Sequence, residues 1–501
     1  MRLDPSWPDQ LDNPVANLAT LDDILVQNAN RNGDATALFR PDGGALTWRE
    51  ADAAAAALAA VITEWRLGED AVVGVQLGSS LEGAISCLAV WRAGLIPAML
   101  PLAWRRRELS TALSSVGASA VLTLSRGGGA ALAEIACEVA ADLYAIRYVG
   151  CFGGDPPDGA TPLDDVLVPS LNAAERQLRP TDDARNVAVV TFDAGHVPVA
   201  RSHSELLAAA LGPLVASRLS AQSALVSTLD LAGLGGLAVG LAPWIASGCA
   251  ARFLQPSDTA GFAETLRDVE ATHLVAPGRL AGRMAGDAAF DPSALEAVSL
   301  VWRAPDGRSA PVDLGTDVAT IDVSLFGELG LYAAARAQPA RFAALPVGEA
   351  GPEAFPPLIE LRIGRDGRLA VRGPACPSAP FPAAPEAPRI AFDDDGFLET
   401  GLAGFADRTA NRLSLGGRRR GVVQVGGLPL SIDDLDEAYR RAGVRTAPHA
   451  EDDPLFGARV ALAAGAGEPS LESVATLLEA AGFGPALAPI EAAAQPVRRT
   501  A

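Results

Sequence analysis

Residues 189–207, VVTFDAGHVPVARSHSELL, have the outline of a phosphate-gripping loop with most of its chemistry changed. An apolar run enters a loop with one glycine, Gly195, then Pro198, then a helical pattern opening at Ser202 or Ser204. A loop that cradles phosphates needs backbone N–H groups, small hydroxyls, glycines and a lysine, since each brings a donor or a cation with little bulk. Phe192, Asp193, Ala194 and Val199 stand in those places instead. Just beyond them, Arg201 and His203 read as a solvated helix start. The chain contains no lysine, because all 40 residues of its Lys+Arg count are arginine. A step requiring a lysine ammonium is therefore excluded within this sequence.

Other constellations are thin. His196, His203, His273 and His449 are the four histidines, and none sits in a G-x-S-x-G or H-E-x-x-H setting. His273 reads as a core residue. Asp393, Asp394 and Asp395 form an acidic turn that reads as solvated loop rather than a metal cage. The glycine- and alanine-rich run 229–242 suits a narrow apolar tunnel or a plain buried helix. Five scattered cysteines without a C-x-x-C pair argue against a disulfide framework or a zinc site, and no metal ligand set is assigned.

The elements that must position these residues follow from composition and pattern. The chain has 501 residues, 49% hydrophobic and 20% charged, which places it among globular proteins of several domains. A formal charge of −20 repels phosphate backbones and anionic lipid, so nucleic-acid and membrane-surface binding are excluded as functions. The N-terminus lacks a basic-then-apolar leader, and a cytoplasmic protein is expected. The uncharged stretch 231–250 is long enough to cross a bilayer, but its glycines, Pro243 and unflanked ends predict a buried helix, a turn and a strand.

Strand and helix patterns alternate through the first third: a hairpin across PDGG, a helix in READAAAAALAAVITEW, a strand AVVGVQL, and helices over 81–93 and 106–115. Such βαβ order implies a parallel sheet with helices on both faces. A second α/β unit runs from about 187 to 335. LIELRIGRDGRLAVRGP then reads as a hairpin turning at Asp366-Gly367, and a helix capped by Ser431 opens a small α+β module.

In order, the blocks LTWREADAAAAALAAVI and VVGVQLGSSLEGAISCLAVWRAGLIPAMLPLAWRRRELSTALSSVGASAVLT resemble the N-terminal region of the adenylate-forming superfamily of acyl-CoA synthetases and AMP-dependent ligases. The resemblance extends over nearly the whole chain. It implies an α/β fold: a large N-terminal domain of two doubly wound subdomains plus a small β-barrel, residues 1–418, and a small mobile α+β C-terminal domain, residues 419–501. It implies ATP or AMP with Mg²⁺ and coenzyme A as cofactors, and a small carboxylic acid or acyl group as ligand. A carrier protein or an active homologue is a further candidate partner.

The resemblance also implies site residues. In the phosphate loop Thr191, Gly195 and Pro198 match the family pattern, while Val199 takes the lysine's place. Ala304 and Pro305 in LVWRAPDG match the Gly-Ala-Pro segment that lies against adenine. Phe326 and Gly327 in SLFGELG match the adenine-covering aromatic and its glycine. Leu329 and Gly330 replace the threonine and the Mg²⁺-binding glutamate, and strand alternation turns Glu328 away. Thr400 and Gly401 match the Thr-Gly-Asp block, with Leu402 replacing the ribose-binding aspartate. Arg418 matches the ribose and phosphate arginine, and Gly421 replaces the hinge aspartate. QPVRRTA resembles the start of the segment carrying the second catalytic lysine, where Arg498 or Arg499 is the nearest cation.

Three readings follow. The leading one is an acyl- or carboxylate-binding pseudoenzyme with impaired adenylation. The alternatives are a working AMP-forming ligase that uses arginines for lysines, and a protein that performs only thiol transfer.

Overall fold

The computed structural model describes residues 1–3, 19–168, 184–255, 259–287, 290–303, 310–314, 318–416, 419–462 and 469–491. Two wound sheets form the body. The first orders its strands Ala160–Pro162, Tyr148–Phe152, Ala120–Leu124, Val72–Gln76, Ile96–Met99, Val187–Asp193 and Val197–Ser202, all parallel except the last pair. The second runs Leu331–Ala335, Ala319–Leu325, Ala297–Arg303, His273–Pro277, Ala224–Ser227, Ala250–Phe253, Thr36–Phe39 and Ala45–Thr47, antiparallel only at its two edges. Central strands buried on both faces explain the continuous apolar runs of the sequence.

A five-stranded antiparallel sheet from Gly348–Ala350 to Arg412–Gly416 forms the β subdomain, and a bridge between Leu345 and Leu413 joins its two ends. Its second hairpin turns at Gly367, whose φ of 76° suits glycine. The smaller C-terminal module has the sheet order Leu428–Ser431, Val422–Val425, Gly457–Leu462, His449–Asp453, with helices Ile432–Arg441 and Leu471–Ala480. The expected boundary at 418/419 borders residues 417–418, which lie outside the described set.

Local sequence accounts for the element that carries the altered loop. Strand Val187–Asp193 ends in the single turn Ala194–His196 and returns as Val197–Ser202, so the expected open loop is a tight hairpin. Gly195 takes φ 72° in that turn. Ser202 then caps helix His203–Ser217 in a reciprocal box with Glu205. Stretch 231–250 forms Leu234–Gly236, a π-helical turn Leu237–Leu241 and Ala242–Ser247, then strand Ala250–Phe253. No helix among the described residues is long and apolar enough to cross a membrane.

Candidate functional site

The hairpin ends on a buried ion pair. Asp193 closes strand Val187–Asp193, and Arg419 reaches it from the start of the C-terminal module with Nη1 to Oδ1 at 2.6 Å and Nη2 to Oδ2 at 2.9 Å. Arg419 Nε also donates to the Thr400 carbonyl at 2.8 Å, and Ala194 N–H donates to Asp193 Oδ1. Burial alone would raise the Asp193 pKa, but the charge and hydrogen bonds of Arg419 outweigh it and hold the carboxyl below its ordinary value. Gly327, at φ 66°, makes room for this clasp: a Cβ there would lie 2.7 Å from Arg419 Nη1 and 2.9 Å from Asp193 Oδ2.

Behind the clasp, the altered family positions have become core. Val199, Leu329 and Leu402 are 0%, 5% and 1% exposed and pack in one apolar cluster with Phe326. The resemblance places a lysine, a threonine and a ribose-binding aspartate at those three positions. Their replacements join one apolar cluster.

A second ion pair lies beside the first. Strand Ala297–Arg303 delivers Arg303, whose Nη1 donates to Glu328 Oε1 at 2.9 Å. Glu328 Oε2 accepts from Leu234 N–H at 2.6 Å, its N–H donates to Asp193, and its carbonyl accepts from Arg201 Nη2. Glu328 is thus the junction of both pairs. Both pairs border a cavity of about 880 Å³ between the two sheets and the C-terminal module. Trp104, Phe192, Phe262, Met284 and Trp302 supply apolar wall, and Gln424, Gly427, Leu428 and Phe456 close it from the C-terminal side. Asp230 also lines it, with a carboxyl that burial pushes up against the lowering effect of the Ala232 N–H.

The structure corrects three expectations. Glu328 does not turn away: the strand ends at Leu325, and a turn closed by Phe326 N–H to the Gly330 carbonyl frees Glu328 from strand alternation. Arg201 and His203 are not solvated, being 1% and 6% exposed. His203 Nδ1 accepts from Leu21 N–H, and Arg201 keeps two donors, Nε and Nη1, without a partner among the described residues.

Of the expected site residues that are described, Thr191, Gly195, Phe326, Gly327 and Thr400 do not line the cavity. Thr191 is buried and its Oγ1 has no partner among the described residues, and Gly195 sits in the turn facing the C-terminal helix. Phe326 is in the core, Gly327 backs the clasp, and Thr400 Oγ1 donates to the Leu369 carbonyl. Ala304, Pro305 and Arg418 lie outside the described residues, as do Arg498 and Arg499. Asp230, Arg303 and Arg419 escaped sequence reading. For Arg303 a signal existed: it precedes Ala304-Pro305, where the family pattern has glycine. For Arg419 the run Arg418 to Arg420 left three choices.

Among the described residues no group of three or more His, Cys, Asp or Glu is placed to hold a metal ion. A triphosphate with Mg²⁺ fits this donor set poorly: the loop offers a carboxylate already paired with Arg419, and at the position where the resemblance implies a metal-binding glutamate the chain has Gly330.

A family model for AMP-binding enzymes matches residues 25–327, and the chain belongs to this family of adenylate-forming proteins. Solved structures agree in fold. The amide bond synthetase McbA from Marinactinospora thermotolerans superposes with a TM-score of 0.74 at 18% identity, covering 94% of this chain and 95% of that one. A malonyl-CoA ligase, as a ternary product complex with methylmalonyl-CoA and AMP, gives 0.66 at 22% identity, covering 92% and 97%. The apo structure of MbtA from Mycobacterium smegmatis gives 0.64 at 20% identity, covering 97% and 91%. No curated protein matches the chain.

Proposed function

We propose that this chain binds an acyl group or a small carboxylic acid in the cavity and has lost ATP-dependent adenylation. The observation that carries the reading is the conversion of Val199, Leu329 and Leu402 into one apolar cluster. A buried hydroxyl or phosphate oxygen set against that surface would lose its water partners and gain none, at roughly 1–3 kcal/mol per group. The Asp193–Arg419 clasp adds to this, since Arg419 is already neutralised at the loop and its partner repels a triphosphate. Thr191, Gly195, Phe326, Gly327 and Thr400 then serve to shape the clasp and its core rather than to touch a nucleotide. The division is an adenylation-like N-terminal domain, 1–418, and a C-terminal module, 419–501, which completes the wall of the cavity. A carrier protein or an active homologue is the partner class that would present or receive the acyl group.

Isothermal titration of the full chain with ATP and Mg²⁺, AMP and a non-hydrolysable acyl-adenylate analogue tests this. The expected result is no saturable heat from ATP and Mg²⁺, and no pyrophosphate release with any acid supplied. Saturable ATP binding accompanied by pyrophosphate release would restore the ligase reading, with arginine in the lysine's role.

A further inference from the structure

Trp302 stands at one end of the cavity as a partition. It is 5% exposed and belongs both to the cavity wall and to an apolar cluster of the second sheet, together with Phe262, Ala276 and Met284. Leu266, Leu274 and Leu300 continue that cluster and do not line the cavity. The indole therefore separates a space open to a ligand from a core closed to one. An apolar group that passed it would enter apolar surroundings, where each buried methylene strengthens binding about 4-fold.

The indole is fixed from three directions. Nε1 donates to Asp322 Oδ1 at 2.9 Å, and the ring meets Phe342 edge to face with centroids 5.0 Å apart. Its third contact is the backbone of Gly278, where a Cβ would come within 2.4 Å of Cδ2 and Cε2, so the ring lies directly against the glycine. Asp322 is anchored in turn by Arg336 in a buried pair. A side chain held by a hydrogen bond, a ring contact and a backbone has no open rotamer to move into, so it stops a ligand instead of yielding to it. Its removal strands no polar group. Asp322 Oδ1 still accepts from Arg336 Nη2 at 2.8 Å, and Oδ2 from Arg336 Nε at 2.9 Å and Ala343 N–H at 2.8 Å.

We infer that Trp302 is a specificity-determining residue of the cavity: it sets how long an apolar ligand body the cavity admits. The inference deepens the acyl-binding reading and rests on it for the presence of a ligand. It concerns the far end of that ligand and not the group by which the ligand is held. No bond is made or broken at Trp302.

The test is isothermal titration of the full chain and of Trp302→Ala, without nucleotide, using octanoate, dodecanoate and hexadecanoate beside the neutral octan-1-ol and dodecan-1-ol. The ratio of hexadecanoate to octanoate affinity is expected to rise at least about 10-fold in Trp302→Ala, the gain from roughly two further buried methylenes. The alcohols are expected to show the same trend with length. Indole added to Trp302→Ala should refill the vacated place and return the ratio to that of the unaltered chain, a result that loss of packing alone would not give. Thermal melts identify a variant that fails to fold, and Trp302→Phe, which keeps a ring against Phe342, then decides by a smaller rise of the same sign. An unchanged ratio, an equal gain at every chain length, or a ratio that indole leaves raised overturns the inference. Failure of every acid and alcohol to saturate either protein overturns it too. Alcohols that bind with the length-dependent gain while no acid binds would sink the acyl-binding reading and leave the size limit standing, so the two failures are separable.

Discussion

At the scale of single residues, one buried carboxylate decides what the altered loop can hold. Asp193 and Arg419 satisfy each other in two hydrogen bonds, with side chains 7% and 11% exposed. Removing one partner of such a pair strands the other charge, which costs about 3–5 kcal/mol, although the pair itself contributes far less than that to net stability. Asp193→Asn is therefore expected to lower stability by roughly 2–4 kcal/mol in urea denaturation while freeing Arg419 for a ligand anion. The same variant should gain saturable binding of inorganic pyrophosphate that the unaltered chain lacks. Stability loss without that gain would mean Arg419 is not the cation that the clasp withholds. Asp193 was legible in the sequence as an intruder in a phosphate loop. Its partner was not, because the two are 226 positions apart and three consecutive arginines were available.

At the scale of elements, the hairpin turn Ala194–His196 is where the first sheet meets the C-terminal module. His196 lies in contact with Trp104, ring centroids 5.0 Å apart, and its Nδ1 stands 3.7 Å from Asp434 Oδ2. Burial lowers its pKa from 6.5 to about 4. A histidine with a depressed folded pKa is kept neutral by the fold, so below its unfolded pKa the unfolded chain binds the proton first. Stability should consequently fall between pH 6.5 and about 4 and level off below that, by up to about 3 kcal/mol. His196→Leu should flatten this segment of the stability curve, as followed by denaturant midpoints at a series of pH values. An unchanged slope in the variant would assign the titration to another group. The helix that follows was legible from Ser202 and Glu205 alone, because a capping box is a local hydrogen-bond pattern. The tight turn was not, since one glycine and one proline suit an open loop as well as a hairpin.

At the scale of the whole molecule, the C-terminal module is fastened at a second place, away from the clasp. Glu108, 5% exposed, accepts from Gly484 N–H at 2.7 Å and from Arg105 N–H at 3.1 Å, and Arg107 N–H donates to the Gly482 carbonyl. Glu108→Ala leaves the Gly484 N–H without its acceptor, a loss of about 1–3 kcal/mol from the docked arrangement. An increased radius of gyration in small-angle scattering, or a separate early melting transition, is the expected outcome. A scattering profile identical to that of the unaltered chain would show that the clasp suffices. By itself the sequence determined the two wound sheets, the added β subdomain, the small final module, the absence of lysine and the leucines where the resemblance implies polar side chains, because periodicity, capping and motif spacing are properties of short segments. Only the tertiary structure decided that Val199, Leu329 and Leu402 pack into one core, that Glu328 joins two ion pairs, and that Trp302 closes one end of a cavity. Burial, charge pairing and the shape of a cavity arise from groups distant in sequence, and they acquire an energy only when folding brings those groups within a few ångströms.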